Sequence, residues 1–94
     1  MKTLHLIISG RVQGVGFRVY VAAEAEARGL RGWVRNRRDG SVEAVVAGED
    51  QAVDVFLAAC RRGPPAAVVK AVEASPHGGP LADGFVVLPT KLRG

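Results

Sequence analysis

Leu-Arg-Gly-Trp-Val-Arg-Asn-Arg-Arg-Asp-Gly-Ser-Val-Glu-Ala-Val-Val-Ala, residues 30–47, holds two β-prone runs, Leu30 to Asn36 and Ser41 to Ala47. Asp39-Gly40 between them supplies the positive φ angles of a tight turn, so the stretch predicts a β-hairpin. What flanks the hairpin decides the fold. On its N-terminal side, Phe17 to Arg28 is helix-forming, with Val19, Tyr20, Ala23 and Ala27 on one face and a Glu24–Arg28 pair at i, i+4. Gly29 ends that helix as a left-handed cap. On the C-terminal side, Gly48-Glu49-Asp50 opens a second helix with acid at its positive end, and Val53, Phe56, Leu57 and Cys60 form its apolar stripe. Arg61 and Arg62 sit at its negative end, Gly63 caps it, and Pro64-Pro65 prevents continuation.

Further outward are two more strands. Leu4, Leu6 and Ile8 alternate with Thr3, His5 and Ile7, the period of a strand with one face in a core. Val68 to Ala74 alternates too, with Val68, Lys70, Val72 and Ala74 on one face and Val69, Ala71 and Glu73 on the other. Ser75 to Asp83 is a Pro/Gly-rich loop, and Gly84 to Leu88 a short final strand that Pro89 ends or places at an edge. The order β-α-β-β-α-β makes this an α+β chain of the ferredoxin-like, split β-α-β type. It predicts two helices on one face of an antiparallel sheet in the order 4-1-3-2, plus a short extra C-terminal strand. All of residues 1–94 are expected to form one domain. Because the first strand is central, its end and the start of the first helix should lie beside the hairpin, bringing Arg18 within reach of Asn36.

The chain is 48% hydrophobic and 23% charged, with a net charge of +4, and ten of its thirteen basic residues are arginine. Such an excess suits anionic partners without choosing among them; its commoner meaning is a solvated surface. Cys60 is the only cysteine, which excludes an intrachain disulfide and a multi-cysteine metal site. The N-terminal apolar run lacks the length of a signal segment and a small-residue cleavage site, and no segment is long enough to span a bilayer. A cytoplasmic protein without membrane contact is expected.

The first chemistry-bearing motif is Gly10-Arg11-Val12-Gln13-Gly14-Val15-Gly16-Phe17-Arg18, with three glycines within seven residues. Such a loop lets successive backbone N–H groups face inward just where a helix begins, and both the unpaired donors and the helix dipole favour an anion there. Arg18 adds a planar charged fork suited to two phosphate oxygens. The second motif is Gly32-Trp33-Val34-Arg35-Asn36-Arg37-Arg38-Asp39-Gly40-Ser41-Val42. Asn36 is the only asparagine in the chain and ends a strand just before the turn. Its uncharged amide offers both an acceptor and donors, enough to hold a water by two hydrogen bonds. Either motif alone has a structural reading: a glycine turn before a helix, or an asparagine at a turn.

Together the two motifs resemble the acylphosphatase family, whose members carry Gly-x-Val-Gln-Gly-Val-x-Phe-Arg and, about a dozen residues later, Gly-Trp-Val-x-Asn-x-x-Asp-Gly-x-Val. Gly63-Pro64-Pro65-Ala66 and the valine-rich strand after it are similar as well, so the resemblance runs from Leu4 to Val72 and loosens from Ser75 onward. It implies hydrolysis of an acyl phosphate, a carboxylic–phosphoric mixed anhydride, to a carboxylate and inorganic phosphate. It implies phosphate binding by Gln13, Gly14, Val15, Gly16, Phe17 and Arg18, with Asn36 and Arg18 as the catalytic residues and Asn36 positioning the attacking water. No metal or other cofactor is implied. The expected partners are a small-molecule acyl phosphate and inorganic phosphate as product and inhibitor, with no nucleic acid, and the chain is expected to be a monomer.

The residue set suits that substrate. A carboxylate leaving group, with a conjugate-acid pKa of about 4, departs without protonation, so no strong general acid is needed. A loose transition state spreads charge over the peripheral phosphoryl oxygens, where fixed N–H donors and an arginine act electrostatically.

One rival is an RNA-binding domain of the same topology, which would present aromatics on its central strands for base stacking. The chain has five aromatic residues and none between Leu4 and Ile8, which counts against it. Another is an acylphosphatase-like domain serving a larger carbamoyl-transfer enzyme; the 94 residues are expected to stand without a partner domain. His5 reads as a surface or edge residue, His77 as solvent-exposed, Cys60 as buried and apolar, and Trp33 as core or pocket wall. Arg35, Arg37 and Arg38 either widen a positive funnel or keep the hairpin solvated, and the solvated reading is favoured.

Overall fold

The structure, a computed structural model, describes residues 1–92. The elements run β1 (Lys2–Arg11), α1 (Phe17–Ala27), β2 (Arg31–Asn36), β3 (Val42–Gly48), α2 (Asp50–Arg62), β4 (Val68–Pro76) and β5 (Phe85–Val87). They form a five-stranded sheet in the order β4-β1-β3-β2-β5. The four long strands are antiparallel in the expected order, with His5 opposite Val45 and Trp33 opposite Val45 from the other side. The short fifth strand departs from the antiparallel expectation: β5 runs parallel to β2, Val34 opposite Val87, so the sheet is mixed. Residues 77–84 carry the chain from one edge of the sheet to the other, and such a return delivers β5 in the direction of β2.

The core lies between the sheet and the two helices. Leu6 and Ile8 of β1, Val34 of β2, and Val42, Ala44 and Val46 of β3 meet Val53, Phe56, Leu57 and Cys60 of α2, the stripe expected from spacing. The α1 stripe is not the expected one. Phe17, Val21 and Ala25 are buried, joined by Ala22, while Val19 is 71% exposed and Ala23 and Ala27 face solvent. Phe17 sets this phase: burying its ring is worth about 1.5–3 kcal/mol, more than any alanine on the other face offers. Tyr20 is half-buried and its hydroxyl donates to the Ala59 carbonyl at 2.8 Å, tying α1 to α2.

Two local details also depart from the sequence reading. In the hairpin turn only Gly40 has positive φ, and Asp39 does not. Arg37 N–H bonds Ser41 O and Gly40 N–H bonds Arg37 O, leaving a three-residue loop in which only the last residue need be left-handed. Asp39 instead ties the turn with its carboxylate, accepting from Ser41 N at 2.9 Å and Ser41 Oγ at 2.6 Å. In β4 the strict alternation breaks at a bulge, where Ser9 pairs with Ala71 but Gly10 pairs with Val69, skipping Lys70. Val69 and Val72 therefore both pack on the core. Gly10 belongs to that bulge: a Cβ there would lie 2.2 Å from the Val68 carbonyl oxygen.

Among the described residues no helix is long and apolar enough to cross a membrane.

Candidate active site

The glycine loop leaves the end of β1 and enters α1 within six residues, so its shape is fixed at both ends. Val12, 1% exposed, pins the strand end into the core, and Phe17, also 1% exposed, pins the helix start. Between them Gly14 (φ 74°) and Gly16 (φ 76°) take left-handed backbone, which L side chains rarely adopt. Gly16 is the N-cap of α1, and its carbonyl accepts the first helical bond from Tyr20 N–H at 3.1 Å. No side chain caps this helix and its first turn has no acidic residue. The free N–H groups and the positive end of the dipole are thus left for an outside anion.

Gln13 holds this loop against the hairpin. Its Nε2 donates to Arg37 O at 2.7 Å and to Ser41 O at 2.9 Å, committing both amide hydrogens to hairpin backbone. The Gln13 side chain is therefore a staple, and its backbone N–H is what the phosphate-binding loop read from the sequence can draw on. The Val15 side chain packs against the core and, unlike its neighbours, does not line the cavity described next.

That cavity, of about 230 Å³, is lined by Val12, Gln13, Gly14, Gly16, Phe17, Arg18, Val19, Asn36 and Val87. A water's share of liquid volume is about 30 Å³, so there is room for a phosphoryl group with a water beside it. Arg18 and Asn36, separated by a whole helix in sequence, share this cavity as the topology requires. Asn36 pairs with Val42 at the end of β2, on the same face as Val34, and so on the side of the helices. Its Oδ1 is buried and accepts no hydrogen bond within the described protein. Arg18 is half-buried and forms no ion pair among the described residues, so its charge is uncompensated by any carboxylate.

The other basic hairpin residues divide. Arg35 lies on the helix-free face, its Nε donating to Glu43 Oε1 at 2.7 Å and its guanidinium 4.6 Å from the Trp33 ring centre. It takes no part in a funnel. Arg37 and Arg38, with Asp39, Lys91 and Leu92, line a second cavity of about 250 Å³. His5 lies in β1, an interior strand rather than an edge one, and its Nε2 sits 2.6 Å from Glu43 Oε2. Burial alone would raise the Glu43 pKa, but hydrogen bonds from His5 and Arg35, and their charge, hold it below the usual carboxylate value. His77 is half-buried rather than exposed, its ring 6.4 Å from that of His5. No cluster of three or more His, Cys, Asp or Glu among the described residues is arranged to hold a metal. Burial pushes the Cys60 thiol up to about 12, in keeping with the apolar role read from its stripe.

Three residues of the cavity, Val12, Val19 and Val87, are absent from the site read in the sequence, although Val12 lies within the glycine-loop motif. Val19 was placed on the buried face of α1, and Val87 lies in the final strand, where no motif singles it out.

A family profile described as acylphosphatase matches residues 4–87. An acylphosphatase from Azorhizobium caulinodans is 54% identical over 89 residues, covering 94% of this chain and 96% of that protein. The crystal structure of acylphosphatase from Bacillus subtilis superposes with a TM-score of 0.88 at 37% identity, covering 94% of this chain and 99% of that one. Full-length HypF, in its phosphate- and nucleotide-bound form, matches with a TM-score of 0.87 at 28% identity; the match covers 99% of this chain but 12% of HypF, so the same fold also occurs within a much longer protein. With its fold and nearly its whole length shared with such proteins, the chain belongs to the acylphosphatase family, hydrolases acting on acid anhydrides.

Proposed function

We propose that residues 1–94 act as one acylphosphatase domain that hydrolyses acyl phosphates with three devices: the backbone cradle, Arg18 and Asn36. The observation that carries this reading is one cavity lined by Asn36, whose buried Oδ1 accepts no hydrogen bond among the described residues, by the uncapped N-terminal turn of α1, and by Arg18, which forms no ion pair among the described residues. A buried acceptor without a partner costs about 1–3 kcal/mol, a cost that a bound water donating to it offsets.

The phosphoryl group binds with its peripheral oxygens on the N–H groups of the Gly14–Arg18 turn and on the Arg18 guanidinium. A water hydrogen-bonds to the Asn36 amide, which holds it with a lone pair aimed at phosphorus opposite the acyl oxygen. As the P–O bond to the acyl oxygen breaks, the carboxylate leaves with the bonding pair and needs no proton. Charge gathered on the phosphoryl oxygens is met by donors already in place, which is where most of the acceleration arises. Asn36 contributes through position, since an amide does not act as a base at neutral pH. The water's proton passes to a phosphoryl oxygen of the substrate itself.

The test is steady-state hydrolysis of benzoyl phosphate by the purified protein in EDTA. Turnover unaffected by chelator, with inorganic phosphate inhibiting competitively, is the expected result. Folded protein that leaves benzoyl phosphate intact, or that loses activity in EDTA, refutes the proposal.

A further inference from the structure

The cavity has two kinds of wall. Gly14, Gly16, Arg18 and Asn36 are used up by the phosphoryl group and the water, in the proposed hydrolysis on which this inference rests. What is left is Val12, Gln13, Phe17, Val19 and Val87; the Gln13 amide is committed to the hairpin carbonyls, so the acyl group must lie along the four apolar residues. Val12 and Phe17 are each 1% exposed and belong to the core, so the surface actually offered is that of Val19 and Val87.

These two valines are out of place as packing residues. Val19 is 71% exposed and Val87 43% exposed, so neither is used up in packing the core. They come from different elements, the first turn of α1 and the last residue of β5, and meet at one cavity. Side chains on a helix lean toward its N-terminus, so Val19 tilts over the cradle rather than away from it. Val87 stands opposite Val34, on the helix side of the sheet like Asn36. An exposed valine on a helix or strand end is unremarkable alone; two flanking a phosphate cradle form an apolar lip.

We infer that Val19 and Val87 form the subsite for the acyl group, and that it takes uncharged, apolar acyl groups such as aryl or branched alkyl chains. Neither valine offers a hydrogen bond or a charge to a carboxylate or a second phosphate on the acyl chain. Among the described residues, the nearby cations of the hairpin and C-terminal segment, Arg37, Arg38 and Lys91, line a separate cavity. Burying a ring or chain against the lip while the phosphoryl group is held raises kcat/KM mainly through KM, because the contact is the same in ground and transition states.

The test compares kcat/KM for acetyl, benzoyl and succinyl phosphate in the wild type and in a Val19→Thr/Val87→Thr double variant. Threonine keeps the β-branched shape and replaces one methyl of each residue by a hydroxyl. Reading the change in the benzoyl-to-acetyl ratio between the two proteins cancels the intrinsic reactivity of the substrates. The ratio is expected to fall about tenfold in the variant, through KM, which is the scale of a methylene-sized change in an apolar contact. The inhibition constant of inorganic phosphate should not move, because the cradle is intact. An unchanged ratio, or a wild-type preference for succinyl over benzoyl phosphate, overturns the subsite while leaving acyl phosphate hydrolysis standing. Failure of the wild type to hydrolyse any of the three removes the proposed function and this inference with it.

Discussion

Asn36→Ala removes an amide whose oxygen is buried and accepts no hydrogen bond within the described protein, from a residue that lines the cavity with Arg18. Two effects of opposite sign follow. For folding, deleting the buried acceptor removes a desolvation cost of up to about 1–3 kcal/mol, less the part that a bound water already offsets, and the lost side-chain contacts take back more of it. The net expected change is between about zero and 1 kcal/mol of added stability, and 1 kcal/mol corresponds to about 4–8 °C in Tm for a chain of this size. The hairpin survives, because Lys91 N–H bonds the backbone carbonyl of residue 36, not its side chain.

For catalysis the water loses its anchor. Losing one preorganised polar contact raises a barrier by about 3 kcal/mol, which is about 10²-fold in kcat. Phosphate affinity should hold, since the cradle and Arg18 are untouched. The assay is kcat and KM for benzoyl phosphate, competition by inorganic phosphate, and thermal unfolding followed by circular dichroism on the same preparation. A variant that is at least as stable as the wild type, binds phosphate and turns over about a hundredfold more slowly fits the reasoning. A Tm lowered by about 5 °C or more would make Asn36 a structural residue, and kcat within a few-fold of wild type would remove it from catalysis.

Arg18→Ala should lose phosphate affinity and turnover together, and Arg18→Lys should recover little of either because an ammonium lacks the planar fork; full recovery by lysine in the same kinetic assays would refute this. Gln13→Ala breaks two bonds to hairpin backbone, leaving Arg37 O and Ser41 O without that donor. It should destabilise by about 1–3 kcal/mol in chemical denaturation and also lower kcat, since the loop and Asn36 lose their common tie. Glu43 has a pKa lowered in the folded state by His5 and Arg35 against the effect of burial. Its stabilising contribution is therefore full above the unfolded carboxylate pKa and is lost as pH falls through the lower folded value. Glu43→Gln should be less stable than the wild type at pH 7, with the gap closing in acid; urea denaturation across pH 2–7 checks this, and a gap independent of pH refutes it.

The order of the four long strands was legible because each cue is local. The glycine of the hairpin turn, the alternation in β1 and the stripe of α2 all follow from neighbours in sequence. What escaped depends on distant contacts. The α1 face could not be set by counting apolar residues, since Val19 and Val21 are the same residue type, one at the cavity mouth and one in the core. The bulge that turns both Val69 and Val72 inward exists because β4 must follow β1 past Gly10. The direction of β5 depends on the route of residues 77–84 around the sheet, which no periodicity encodes. In the cavity, adjacency of Arg18 and Asn36 followed from topology alone, whereas the commitment of Gln13 to the hairpin requires knowing which carbonyls lie opposite it.

That commitment explains how two short motifs, far apart in the chain, can act as one site. Gln13 belongs to the glycine loop, and its amide grips the two hairpin carbonyls, Arg37 O and Ser41 O, that flank the turn just beyond Asn36. Any shift of the cradle relative to the hairpin must break one of these bonds, so the cradle and Asn36 keep their spacing without touching each other. Val12 and Phe17 fix the loop from below, each almost wholly buried. Side chains that support a reacting constellation must hold it to within about 0.5 Å. Here a single glutamine supplies the lateral part of that support, and this is why its amide is directed at the hairpin backbone instead of at the anion beside it.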